Sequence, residues 1–233
     1  MSDTDIEAYH VMSVSAIRSG TMDGMGRWEP NARGRLEQAA MALFETRGYD
    51  RTTVEEIAAR AGLTERTFFR YFADKREVLF GGSKDLERFI VDNILNVPPA
   101  TAPLEAVTAA LQATASIFEE RRSYARKRRG IIAAHAELRG RELIKLASLA
   151  AAIAQSLRRR GVAASVADLI AELGIAIFRN AFERWVDDKE QRALSRHIQA
   201  AVEALKAVAA GTGTSSSRVR PTNPSRRKSS KSR

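Results

Sequence analysis

The chain contains no cysteine. That absence excludes disulfide staples, thiolate metal sites and cysteine nucleophiles, and it suits a reducing cytoplasm, where the protein is expected to work. Long apolar runs are missing too. The uncharged stretch from Leu146 to Leu157, bounded by Lys145 and Arg158, is too short to cross a bilayer, so no membrane span is expected. The chain starts with Asp3, Asp5 and Glu7 where a secretory leader would need a basic start. Histidine is scarce, and His135 and His197 stand apart from any close His/carboxylate array, so they read as packing or surface residues. No metal and no cofactor is expected. There is also no phosphate loop and no recognisable nucleophile–base pair, which argues against an enzyme.

What the chain does have in excess is positive charge, and its location matters more than its sum. The net charge is +10 over 233 residues, but seven basic residues and no acid fall between Gly211 and Arg233, leaving only +3 for everything before them. Residues 211–233 are rich in Ser, Pro, Lys and Arg and nearly free of large apolar side chains, so they are expected to be a disordered basic tail. Such a tail is either a solvated terminus or a non-specific phosphate-binding arm. Residues 1–30 read as a disordered N-terminal arm. There Arg27, joined by Arg33 and Arg35, is placed to enter a minor groove, unless Gly24, Gly26 and Pro30 simply break structure.

Between the ends, apolar residues recur at helical spacing and no alternating strand pattern emerges, so the fold class is all-α. The expected organisation is an N-terminal helix-turn-helix unit over 31–82 and a larger helical domain over 83–210. A first helix from Ala32 to Arg47 carries Leu36, Ala39, Ala40, Leu43 and Phe44 on one stripe and closes at Gly48. Thr53 and Glu56 form a capping box for a second helix over Val54–Ala61. Gly62 ends it, and Thr64 caps a third helix running from Glu65 to Phe72. Asp74 and Glu77 suggest another capping box, opening a fourth helix that continues to about Leu95.

Two short helices joined by a tight glycine turn are the geometry of a helix-turn-helix. Ile57, Ala58, Gly62, Phe68 and Phe72 are its expected scaffold, with Ala58 small because the helices cross there. The opposite face of the third helix carries Arg66, Thr67, Phe69, Arg70 and Tyr71, on a helix too short to be stable alone. Arg66 or Arg70 can donate bidentately to guanine, Thr67 can touch a base edge or a thymine methyl, and Tyr71 and Lys75 can bond phosphates. Glu65 is either an acceptor for cytosine N4 or a first-turn partner of the helix dipole.

Over roughly fifty continuous residues the chain resembles the TetR family of bacterial regulators. The likeness rests on Gly34-Arg35-Leu36 through Phe44, Gly48-Tyr49, Thr52-Thr53-Val54, Ile57-Ala58, Ala61-Gly62-Leu63-Thr64, and Thr67 through Leu79. It implies that Thr53 and the start of the second helix meet phosphate, that Thr67, Phe69, Arg70 and Tyr71 face the groove, and that Lys75 anchors helix four to the DNA backbone. The chain departs from the common pattern with Phe69 where Tyr is frequent and Arg66 where a small residue is frequent. The first change removes a phosphate-bonding hydroxyl and leaves an apolar ring for a thymine methyl.

The helix-turn-helix segment is nearly neutral, with nine Lys/Arg against eight Asp/Glu from Asn31 to Gly82, so specific contacts must outweigh bulk attraction. Beyond it, Pro98-Pro99 should stop the fourth helix and Pro103 should start a fifth with Leu104, Val107, Leu111, Ala115 and Phe118 as its stripe. A later stripe through Leu143 and Leu157 ends at Arg158-Arg159-Arg160 and Gly161. Ser165 with Asp168 should open the penultimate helix. Leu169, Leu173 and Ile177 on it, with Ile198, Val202 and Leu205 on the last, are the expected dimer interface, as the resemblance implies. Phe89, Phe118, Phe178 and Trp185 are candidate walls for an effector cavity. The run Arg121, Arg122, Arg126, Lys127, Arg128 and Arg129 is either a solvated face paired with Glu119 and Glu120 or a dock for an anionic ligand. The expected partners are double-stranded DNA, a second copy of the chain and a small-molecule effector of apolar character. The competing reading is a protein that coats DNA without sequence preference, using its tail.

Overall fold

The structure, a computed structural model, describes residues 31–211. The expected N-terminal arm and basic tail lie outside the described residues, except for Gly211 at the start of the tail. Ten α-helices and no strand are found among the described residues. They are α1 (Ala32–Arg47), α2 (Val54–Arg60), α3 (Glu65–Tyr71), α4 (Ser83–Asn96), α5 (Pro103–Ala113), α6 (Ala115–Phe118), α7 (Arg122–Ala134), α8 (Ala136–Arg159), α9 (Ala164–Asp187) and α10 (Leu194–Ala209). None is long and apolar enough to cross a membrane.

The early helix boundaries come from local chemistry. Asn31 adopts a left-handed conformation and its side chain accepts from the Gly34 amide at 3.1 Å, opening α1. The Thr53–Glu56 capping box is formed in both directions, with bonds of 3.2 and 2.9 Å. Thr64 accepts from the Thr67 amide at 3.2 Å to start α3. Each cap satisfies amides that an isolated helix leaves without partners.

The expected fourth helix is split. Asp74 does accept from the Glu77 amide at 3.0 Å, but the element it opens is a 3₁₀ turn over Arg76–Phe80, and α4 starts only at Ser83. The Glu77 carboxylate does not return to Asp74; it accepts from Arg141 and, at 3.0 Å, from Lys145 on α8. Gly81 lies against α1 so closely that a Cβ would stand 2.8 Å from Glu37 Oε1 and 3.1 Å from a Phe72 ring carbon. Two further junctions differ from expectation, at Thr114 and at the start of α9. The stripe from Leu104 to Phe118 is broken at Thr114, whose hydroxyl donates to the Leu111 carbonyl at 2.6 Å. An extended residue, His135, separates α7 from α8. No hydroxyl caps α9, because Asp168 pairs with Arg158 and Ser165 takes no part.

Two clusters of buried side chains result. The first joins Leu36, Phe44, Ile57, Phe68 and Phe72 with Phe80, and it also takes in Ile132 of α7 and Leu138 of α8. The second is built by α4, α5, α8, α9 and α10 around Leu111, Ile153, Leu157, Trp185 and Ile198. Helices α7 and α8 therefore supply part of the core of the N-terminal unit. The carbonyls at the end of α4 are closed by Arg160, which donates to Ile94, Val97 and Pro98 at 2.9 to 3.0 Å.

Candidate nucleic-acid interface and effector cavity

The α2–α3 corner is held from within. Ile57, Ala58 and Phe68 are at most 1% exposed, the Leu63 amide donates to the Ala58 carbonyl at 2.9 Å, and Gly62 turns the chain at φ +66°. The Arg35 guanidinium donates to the Ala61 carbonyl just before that turn. With its inner face committed, α3 leaves Glu65, Arg66, Phe69 and Arg70 exposed and Thr67 and Tyr71 half-buried. Arg70 lies over the Tyr71 ring at 5.0 Å, and the Thr67 hydroxyl stands 3.1 Å from that of Thr64. Thr53, at the head of α2, is exposed.

Lys75 does a different first job from the one expected. Its ammonium donates to the carbonyls of Tyr49 at 2.8 Å and Thr52 at 2.9 Å and sits 4.3 Å from the centre of the Tyr49 ring. Burial pulls its pKa below the usual lysine value. Two of its three donors thus stitch the α1–α2 loop that carries Thr53, leaving at most one for a phosphate. Arg51, next to this loop's Thr52-Thr53, is exposed as well, with its Nε donating to the Arg47 carbonyl at 2.7 Å.

A cavity of about 1380 Å³ opens between α1, α4, α7, α8 and α9. Phe118 and Phe178 line it as expected, together with Phe182, Leu146 and Leu149. Phe89 and Trp185 do not. Trp185 is fully buried behind Phe118 and Phe182, at ring separations of 6.2 and 5.4 Å, and its indole N–H has no partner among the described residues. The wall contributed by α1 is polar and includes Arg33, Glu37 and Gln38. Burial pushes the Glu37 carboxyl above its ordinary pKa, against the pull of Arg33, which donates to it at 3.3 Å.

The basic run divides its work: Arg122 pairs with Glu119 at 3.8 Å, as expected, Arg121 is exposed at the cavity just before α7, and the other members reach other parts of the subunit. Arg126 donates twice to the Val186 carbonyl, Arg122 to that of Asp188 and Arg129 to that of Glu183 and to the Asp187 carboxylate, so three arginines close the C-terminal end of α9. This is the negative end of a long helix dipole. The next residues along α7 hold the other unit: Lys127 pairs with Glu45 of α1 at 2.8 Å, and Arg128 donates to the Leu79 carbonyl. Arg128 also lies over Phe80 at 5.1 Å, and burial depresses its pKa. At the end of α9, Asp188 is buried and accepts from Arg192, His197 and two backbone amides, which holds its carboxyl far below the usual range. His197 is therefore a packing residue in an ion-paired turn. No group of His, Asp and Glu that could hold a metal occurs among the described residues.

The six expected interface residues separate into two sets. Leu169 is 61% exposed and Leu173 and Leu205 are half-buried, whereas Ile177, Ile198 and Val202 point into the subunit's own core and offer no surface to a partner. Helical periodicity alone could not tell an inner apolar stripe from an outer one on helices that are apolar on both sides. Val166 on α9 and Val208, at the end of the apolar stripe of α10, are exposed as well.

Residues 37–80 match the family described as bacterial regulatory proteins, tetR family, and residues 101–210 match the MftR C-terminal domain. The chain is 26% identical over 189 residues to the Mycobacterium tuberculosis protein named for regulation of mycofactocin biosynthesis, MftR, covering 78% of this chain and 93% of that one. It is 36% identical over 81 residues to the HTH-type transcriptional regulator TcmR of Streptomyces glaucescens, a match spanning 35% of this chain and 36% of TcmR. Among solved structures, a TetR-family regulator from Syntrophomonas wolfei aligns at TM-score 0.56 and 18% identity, covering 79% of this chain and 98% of that one. SmeT of Stenotrophomonas maltophilia, solved with triclosan, aligns at 0.54 and 21%, covering 76% and 90%. Bacillus subtilis FadR, solved with stearoyl-CoA, aligns at 0.52 and 17%, covering 74% and 96%. At these identities the structures speak to the fold alone. With both parts of the chain matched in order and a helix-turn-helix holding out its third helix, the protein belongs to the TetR family of bacterial transcriptional regulators, a DNA-binding class and not an enzyme.

Proposed function

We propose that the protein is a homodimeric repressor that binds a near-palindromic operator and releases it when a small molecule occupies the cavity. The observation that carries this reading is α3, whose inner face is consumed by the scaffold while Arg66, Phe69 and Arg70 stand in solvent. One seven-residue helix reads few base pairs, so specificity calls for two copies on half-sites about 34–36 Å apart. The dimer face is the outer side of α9 and α10, where Val166, Leu169 and Val208 are exposed.

The effector is amphipathic rather than purely apolar. Its body lies against Phe118, Phe178 and Leu149, and its polar end lies toward the charged wall of α1 and α7. Triclosan in SmeT and stearoyl-CoA in FadR are the first probes to try. Helix α7 is the route of control, because it lines the cavity, grips the end of α9 and pairs with α1. An effector acts only through its differential affinity for the DNA-bound and released arrangements.

The test is a gel-shift titration at physiological salt, against the gene's own upstream region, the promoters of mycofactocin biosynthesis genes and random duplex. A regulator prefers one natural fragment; a DNA-coating protein binds all alike, and that outcome would overturn the proposal. Arg70→Ala should weaken the preferred fragment by roughly 10- to 100-fold while leaving random duplex nearly unchanged.

A further inference from the structure

Of the large apolar side chains left exposed among the described residues, Phe69 is the one aromatic, at 53% exposure, and it stands on the helix offered to DNA. Its ring meets the fully buried Phe68 edge-on, at 5.5 Å and 84°, and Phe68 in turn packs on Phe72 at 5.4 Å. The ring is thus positioned by the core. Arg66, three residues earlier, shares its side of the helix, and the exposed Arg70 flanks it, so the ring stands in a basic surround that draws it toward a polyanion.

Phenylalanine has no donor and cannot bond a phosphate, so this ring adds nothing to the backbone grip. Major-groove base edges carry hydrogen-bonding groups and one apolar feature, the C5-methyl group of thymine. We infer that Phe69 is a specificity-determining residue that reads the 5-methyl group of a thymine in each operator half-site. This rests on the regulator reading above and adds which chemical group on the base is recognised.

The experiment uses the full-length protein and a duplex it selects from a random pool. Each thymine is replaced in turn by deoxyuridine, which deletes only the methyl group. One position per half-site should be sensitive, with affinity falling about fourfold for one replacement and roughly fifteenfold for the symmetric pair, as expected for one desolvated methyl apiece. In Phe69→Ala the selected duplex should bind more weakly, and the sensitive replacement should cost nothing further. Phe69→Leu should retain part of the penalty. Because the residue is exposed, both variants should keep the wild-type melting temperature, and circular dichroism checks this. A flat deoxyuridine scan in the wild type, or a penalty that persists in Phe69→Ala, overturns the inference while leaving the regulator reading intact; the second result would place the ring on a sugar. A protein that selects no duplex from the pool overturns both.

Discussion

Asp188 shows how one side chain can settle a junction. It accepts from the Arg192 guanidinium, which is the largest influence on its carboxyl, and from His197 and the amides of Glu190 and Arg192, so its folded pKa lies well below the usual aspartate value of about 3.9. A carboxylate depressed by folding contributes stability that is complete above its unfolded pKa and is lost as the pH falls through the folded one. Asp188→Asn should therefore melt a few degrees below the wild type at pH 7, and the gap should close as melts are repeated at progressively lower pH below about 4. A gap that stays constant to pH 2 would show that the carboxylate charge is irrelevant there. Lys75 carries the complementary lesson. Its residue type and position suggested a phosphate anchor, but two carbonyls of the α1–α2 loop claim its ammonium first, and nothing in a linear sequence announces a contact made across more than twenty residues.

At the scale of elements, short-range chemistry decides most boundaries and long-range packing decides the exceptions. The caps of α2 and α3 use side chains within three residues of the amides they satisfy, which is why those starts were legible. Glu77 had two possible uses, a local cap or a distant ion pair, and the approach of Arg141 and Lys145 chose the second. The turn between α2 and α3 is the most demanding joint, because Gly62 sits at φ +66° where a Cβ would also stand 2.8 Å from the Arg35 guanidinium. Gly62→Ala should cost about 1–2 kcal/mol of stability for the left-handed backbone alone. Operator affinity should fall as well, since the angle between α2 and α3 sets the reach of α3. Denaturant unfolding and gel shift on the same preparation measure the two effects.

For the whole molecule, the question is how a filled cavity is felt by a helix outside it. Lys127 and Arg128 hold the DNA-binding unit while Arg122, Arg126 and Arg129 hold the end of α9, so α7 is tied to both. Lys127→Glu would set a like charge beside Glu45. The pair is half-exposed, so the cost in stability should stay below about 1 kcal/mol, while release by an effector should be blunted severalfold and effector-free operator binding retained. Gel shift with and without effector reads both quantities. Assembly is tested separately. Leu169→Glu, on a residue already exposed, should leave the subunit folded but monomeric by light scattering, and operator affinity should drop roughly 100-fold as the second half-site is lost. A variant that stays dimeric would move the interface elsewhere.

By itself the sequence determined the class of the fold, the span of α1 with its glycine stop, the caps of α2 and α3 with the glycine turn between them, and the side chains that form their inner face. These depend on periodicity and on partners a few positions away. Only the tertiary structure decided which of two apolar faces of α9 and α10 is interior, where the cavity runs, and that the basic run of α7 is a clamp. Each of those outcomes joins groups tens of residues apart, such as Arg126 with Val186 or Lys127 with Glu45, and such pairs exist only once the helices have packed. The physical reason is one of range: a cap is satisfied within its own turn, whereas burial and charge pairing depend on what the rest of the chain brings alongside.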